Sequence, residues 1–170
     1  MMTPPEPAGS ADPAVLQSGG WFDWVIRVRY SETDAQRIVH HANYLVYMEE
    51  ARTELVRALG VPYKEMEERG CSIVVAGAEC SFRASAVFDD LIRVRTRVER
   101  VRSREVSFQF RLEDAQNGRL LAEGRTRHVF VDGSGKVITG PEWIVRGLQG
   151  DGRPRRFQHR ESFASRDPVR

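Results

Sequence analysis

At 170 residues the chain suits a single folded unit, and 41% hydrophobic against 29% charged residues is the balance of an ordinary soluble domain. A formal net charge of +2 gives no reason to expect a nucleic acid partner, and no apolar run approaches the roughly 20 residues of a membrane helix. Cys71 and Cys80 fall in one strand-like segment, too far apart for a disulfide if the strand is unbroken, and no Cys/His cluster has metal-ligand spacing. A cytoplasmic location is the natural reading of such cysteines.

Residues 1–20 are rich in Pro, Ala, Gly and Ser and read as a flexible leader without the features of a secretory signal. Residues 149–170 read as a basic, mobile tail, leaving 21–148 as the folded unit. Its first segment, Trp21 to Tyr30, alternates with a strand period: Trp24, Ile26, Val28 and Tyr30 against Val25, Arg27 and Arg29. A polar loop, Ser31 to His41, follows. The period then changes, with Tyr44, Met48, Ala51, Leu55 and Leu59 forming the stripe of an amphipathic helix. Asn43 is expected to cap its start, and Gly60 with Pro62 to end it. A short second helix fits 62–69.

Strands follow. Residues 71–85 are rich in Val, Ile, Cys and Phe. Ile92, Val94, Thr96 and Val98 alternate with three arginines and Glu99, and Val106, Phe108, Phe110 and Leu112 alternate with polar residues. Asn117-Gly118 signals a hairpin before a strand at 119–131, Asp132 to Gly135 a further turn, and Pro141 a last short helix at Glu142 to Arg146. One strand, one long helix and an antiparallel meander give an α+β domain. One sheet face is free to cover the helix and the other carries arginines.

The loop before the helix gathers chemistry: Tyr30-Ser31-Glu32-Thr33-Asp34-Ala35-Gln36-Arg37-Ile38-Val39-His40-His41-Ala42-Asn43-Tyr44. A carboxylate can attack a carbonyl or activate water. Free amides at a helix N-terminus can steady the oxyanion that forms. Spacing alone leaves Asp34 open between that role and a loop or cap acid.

The stretch from Val28 to Gly60, with RYSETD and VHHANYLVYMEEARTELVRALG, resembles the 4-hydroxybenzoyl-CoA thioesterase family, in particular its bacterial acyl-CoA thioesterases. The likeness extends over roughly 21–138. It implies a hot-dog fold, a curled antiparallel sheet wrapped around one long helix, with subunits paired into a homodimer or homotetramer and active sites at the interface. It implies an acyl-CoA substrate and no metal or organic cofactor. It puts the catalytic aspartate on Asp34, a site histidine on His41, and the carbonyl-polarising amide within His40 to Ala42. Where relatives usually carry Gly, this chain has Arg37, which implies either a different loop path or a cation at the mouth of the site.

The remaining candidates have plainer readings beside the functional ones. Glu49 is expected to pack on the helix or pair with Arg52 at i,i+3. His40 is either a loop residue or part of the site. His128 reads as structural, Glu32 as a partner for an arginine, and Tyr44 and Tyr47 as core or pocket wall. The row Arg93, Arg95, Arg97 reads as a solvated strand face, with CoA phosphates as the alternative partner. Rival functions are hydrolysis of acyl carrier protein esters, a non-catalytic acyl-CoA-binding module, and nucleic acid binding. The retained Asp34 argues against the second, and the near-neutral charge against the third.

Overall fold

The computed structural model describes residues 20–150, so nearly all of the expected leader and tail lies outside the described residues. Five strands form one antiparallel sheet: β1 (Phe22–Arg27), β2 (Cys71–Phe82), β3 (Leu91–Val101), β4 (Glu105–Asp114) and β5 (Leu120–Asp132), in the order β1-β3-β4-β5-β2. Among the described residues three α-helices accompany them: α1 (His41–Ala58), α2 (Tyr63–Glu68) and α3 (Glu142–Leu148). The long helix α1 lies on one face of the sheet, which is the hot-dog arrangement expected from the sequence.

The alternation in the strands decides the faces. Ile92, Val94 and Thr96 of β3 and Val106, Phe108, Phe110 and Leu112 of β4 are buried toward the helix. The helical stripe answers them: Tyr44, Met48, Ala51, Leu55 and Leu59 are all buried, and each large apolar side chain is worth about 1.5–3 kcal/mol on burial. Helix and sheet are in tight contact at Gly124 of β5. A Cβ there would strike the end of Met48 and come within 2.8 Å of the Glu79 carbonyl oxygen. Glycine is required at this crossing because only hydrogen fits.

Several boundaries differ from expectation. The first strand stops at Arg27 because the chain then turns: the Val28 amide donates to the Asp90 carbonyl, and Tyr30–Glu32 form a single 3-10 turn. The helix N-cap is His40, not Asn43, since the helix already begins at His41. Asn43 sits in the first turn and sends its side-chain amide to the Glu32 carbonyl instead, at 2.7 Å. Gly60, with φ 82°, does terminate the helix as expected. No ion pair joins Glu49 and Arg52 among the described residues. Arg52 is turned inward, where the sheet supplies His128 and α2 supplies Tyr63 as partners.

The outer sheet face is a mosaic of arginines and acids. Arg93 and Arg95 meet Asp23, Arg97 grips the Gln109 side chain, Arg125 pairs with Glu99, and Arg95 and Arg97 lie over Trp21. A shallow cavity of about 350 Å³ opens on this face between Arg100, Arg102, Arg125 and Arg127. The β3–β4 connection at its rim lies at the opposite end of the strands from the loop that follows β1.

Candidate active site

The loop between β1 and α1 folds back on itself as a small hairpin. Thr33 and Val39 form an antiparallel bridge, the Asp34 amide donates to the Ile38 carbonyl at 3.0 Å, and the Arg37 amide donates to the Asp34 carbonyl at 2.9 Å. The turn at its tip needs a left-handed residue, and Arg37 takes it with φ 64°. Arg37 thus adopts the left-handed conformation that glycine takes most readily. A non-glycine residue there costs about 1–2 kcal/mol of backbone strain. Its guanidinium is exposed and has no partner among the described residues.

Asp34 is half-buried at the base of this turn. Its Oδ1 accepts from the Gln36 amide at 2.8 Å, an Asx turn that fixes the carboxylate plane. Oδ2 has no partner among the described residues, so one oxygen is oriented by the loop and the other is uncommitted.

The other arm of the hairpin runs into the helix. His40 caps α1 with its own ring, Nδ1 accepting from the Ala42 amide at 3.3 Å, and its carbonyl accepts from the Asn43 amide at 2.9 Å. Of the first three helical amides, that of His41 alone has no acceptor among the described residues. Of the three positions expected to hold the polarising amide, His40 to Ala42, His41 is thus the one whose N–H is available. The amide carries the positive end of the helix dipole with it. The His40 and His41 rings lie 4.2 Å apart and both side chains are exposed. Tyr44 is buried one turn further on, edge-on to Phe82 at 5.2 Å, with its hydroxyl pushed up in pKa chiefly by burial.

What holds hairpin and helix together is Glu32, a residue the sequence marked only as a partner for an arginine. It is 5% exposed. Its carboxylate takes the Arg29 amide at 2.8 Å, the Arg29 guanidinium at 2.6 Å and the Tyr47 hydroxyl at 2.8 Å. Burial opposes its ionisation, but these hydrogen bonds win and hold the carboxyl below its ordinary range. The same residue's carbonyl oxygen accepts from the His40 amide and the Asn43 side chain. The signal available in sequence was an acid two residues before Asp34; the tyrosine that completes the pair is 15 residues away.

Beside the loop, Tyr30, which periodicity places at the end of the first strand, meets Phe88 edge-on at 5.7 Å; the two are 78% and 53% exposed and form an apolar lip. A second buried polar group lies deeper. His128 is fully buried, with Nδ1 3.2 Å from Arg52 and Nε2 2.9 Å from the Thr126 hydroxyl. No described contact links this group to the Asp34 loop, in agreement with a structural reading of His128. Among the described residues no cluster of His, Cys, Asp and Glu could hold a metal ion, and no helix is long and apolar enough to cross a membrane.

Residues 28–148 match the family model of the thioesterase-like superfamily. The chain is 33% identical over 125 residues to the acyl-CoA thioesterase YbgC of Haemophilus influenzae, covering 72% of this chain and 90% of that one. It is 32% identical over 111 residues to the acyl-CoA thioester hydrolase YbgC of Escherichia coli, covering 65% and 82%. The crystal structure of protein TT1821 from Thermus thermophilus superposes with a TM-score of 0.71 at 41% identity, covering 74% of this chain and 95% of the other. Sheet order, helix placement and these matches agree, and the chain belongs to the thioesterase-like superfamily.

Proposed function

We propose that Asp34 drives the hydrolysis of an acyl-CoA thioester by this chain, in the branch of general acyl-CoA thioesterases of the 4-hydroxybenzoyl-CoA thioesterase family. The observation that supports this reading best is the pairing of an uncommitted carboxylate oxygen, Asp34 Oδ2, with an uncommitted amide, His41 N–H, on the two arms of one hairpin. The carbonyl oxygen of the substrate would accept from His41 N–H, which sharpens as negative charge develops there. Asp34 Oδ2 would either add to the carbonyl carbon or take a proton from the water that does. In both routes the C–S bond breaks, water supplies the hydroxyl of the free acid, and CoA leaves as a thiolate that is then protonated. We assign that last proton to the His41 imidazole, and substrate contacts to Arg37, His40, Ala42 and Tyr44. Arg37 would draw an anionic part of the substrate toward the site mouth, and Tyr44 would form part of the pocket wall. The unpaired cysteines fit a cytoplasmic setting.

The exposed surface supports a dimer. β2 is a sheet edge of 12 residues with Val74, Val75 and Phe82 about half exposed, and Leu45 and Val46 at the start of α1 are exposed beside it. A long apolar edge of this kind is ordinarily covered. A second copy along β2 would also wall in the open side of the Asp34 loop. Light scattering is expected to give two or four times the 19.4 kDa protomer mass. A monomer with full activity would overturn the dimeric reading.

The direct test of the site is Asp34→Asn, assayed by thiol release from acyl-CoAs of graded length and from the matching acyl carrier protein esters. An amide can neither attack nor accept the proton at neutral pH, so turnover should fall on the order of 10²-fold or more. Unchanged circular dichroism would show that the fold survives. A folded variant with most of the wild-type turnover removes Asp34 from the chemistry.

A further inference from the structure

We infer that Glu32 is the positioning residue of this site: through its carboxylate and its carbonyl oxygen it sets where Asp34 stands relative to the His41 amide. The inference rests on the reading of Asp34 as the working carboxylate.

Three segments converge on this one residue. The strand exit reaches it through Arg29, the second turn of α1 through Tyr47, and the helix start through the His40 amide and the Asn43 side chain. Asp34 is two residues further along the arm that Glu32 begins, and His41 follows directly on the arm that its carbonyl receives. Any rotation of the 3-10 turn at Tyr30–Glu32 moves the carboxylate of Asp34 against the helix N-terminus. A misplacement of about 1 Å between reacting groups can cost on the order of 10²-fold in rate. Tyr47 is 1% exposed and its hydroxyl, driven far up in pKa by burial and by this carboxylate, stays a donor.

The geometry also says which chemical property matters. Every group aimed at the carboxylate is a donor: the Arg29 amide and the Tyr47 hydroxyl at Oε2, the Arg29 guanidinium at Oε1. Only an acceptor at both ends satisfies them. Glutamine has the same shape but one NH₂ end, which must face either the guanidinium or the amide and hydroxyl, donor against donor in both orientations. Glu32→Gln thus loosens the clamp with no change in side-chain shape.

The test is kinetic and uses the full-length protein with hexanoyl-CoA and benzoyl-CoA well below the melting temperature of each variant. Glu32→Gln is expected to lower kcat at least tenfold while KM changes less than about threefold, because orientation at the reacting centre is lost and not uniform binding. Tyr47→Phe removes one donor and leaves Arg29 in place, so it should show the same split in smaller measure. It also serves if the glutamine variant does not fold. In the Asp34→Asn background, Glu32→Gln should cost nothing further in residual rate, because a residue acting through Asp34 has nothing left to position. A purely structural defect would instead cost the same factor in both backgrounds, and that result overturns the inference. So does a folded Glu32→Gln enzyme with kcat within twofold of wild type while Asp34→Asn is inactive. If Asp34→Asn itself keeps its turnover, the reading of the site fails first, and the two failures are told apart by that control.

Discussion

Mild acid should weaken this protein through His128. The imidazole is fully buried between Arg52, Thr126 and the Phe108 ring, and its pKa is pushed down to about 3, first by burial and then by the Arg52 guanidinium. In the unfolded chain the same histidine takes up its proton near 6.5. Between those values the unfolded state holds more protons, so the contribution to stability is complete above about pH 6.5 and drains away as pH falls toward 3. At pH 5 the expected loss is about 2 kcal/mol, and the whole window is worth at most about 5 kcal/mol. Glu32, whose carboxyl is held low, contributes stability that is lost only as pH falls below its ordinary value of 4.5, outside the range from 7.5 to 5. The assay is urea unfolding followed by tryptophan fluorescence at pH 7.5, 6.0 and 5.0. Protein concentration is held fixed, because subunit association would add to the apparent stability. His128→Gln starts from a lower baseline but has no proton to take up at this position, and its profile should be nearly flat over the same range. A wild-type loss below about 0.5 kcal/mol between pH 7.5 and 5.0, or an equal loss in the glutamine variant, refutes the argument.

The open cation and the tight crossing give two further expectations. Arg37→Gly should raise KM for CoA esters with little change in kcat, and wild-type KM should rise with salt more steeply than that of the variant. Strain relief of about 1 kcal/mol is largely offset by the added freedom of glycine in the unfolded chain, so stability should move by less than about 1 kcal/mol. Identical KM values and salt dependence in both proteins would remove Arg37 from substrate capture. Gly124→Ala forces Met48 aside and presses on the Glu79 backbone at the helix crossing, and should cost about 1–3 kcal/mol in chemical denaturation. A neutral effect would mean that the helix is not in close contact with the sheet there.

Much of the architecture was legible in the sequence because it rests on local periodicity. The stripe Tyr44, Met48, Ala51, Leu55, Leu59 named the buried face of the helix, and the alternation through 92–98 and 106–112 named the inner face of two strands. Residues 28–30 misled because they continue the alternation of β1 while the chain turns away, a departure set by the Val28–Asp90 hydrogen bond across 62 positions. The loop was legible in a different way. Its motif, not its spacing, singled out Asp34, since the residues alone left that acid open between catalysis and a cap.

Residue order by itself determined where strands and helix lie, which of their faces are apolar, and that acids and histidines collect just ahead of the helix. Tertiary structure decided which polar groups are committed and which are left over. Arg52 had an acid three residues away on its own helix and turned instead to His128, 76 positions distant, because α1 presses that side of the helix against the sheet. Asn43 looked like a cap and became a strut, because His40 already occupied the cap and the Glu32 carbonyl stood within reach. An open carboxylate oxygen on Asp34 and an open amide on His41 are what the hydrogen bonds of the loop and helix start leave over among the described residues. That remainder is set by how residues 32–43 fold on one another, with Asp34 bonded to Gln36 and Ile38 and His40 to Glu32, and by the tertiary bond from the Val39 amide to the Ala86 carbonyl, so residue spacing alone does not contain it.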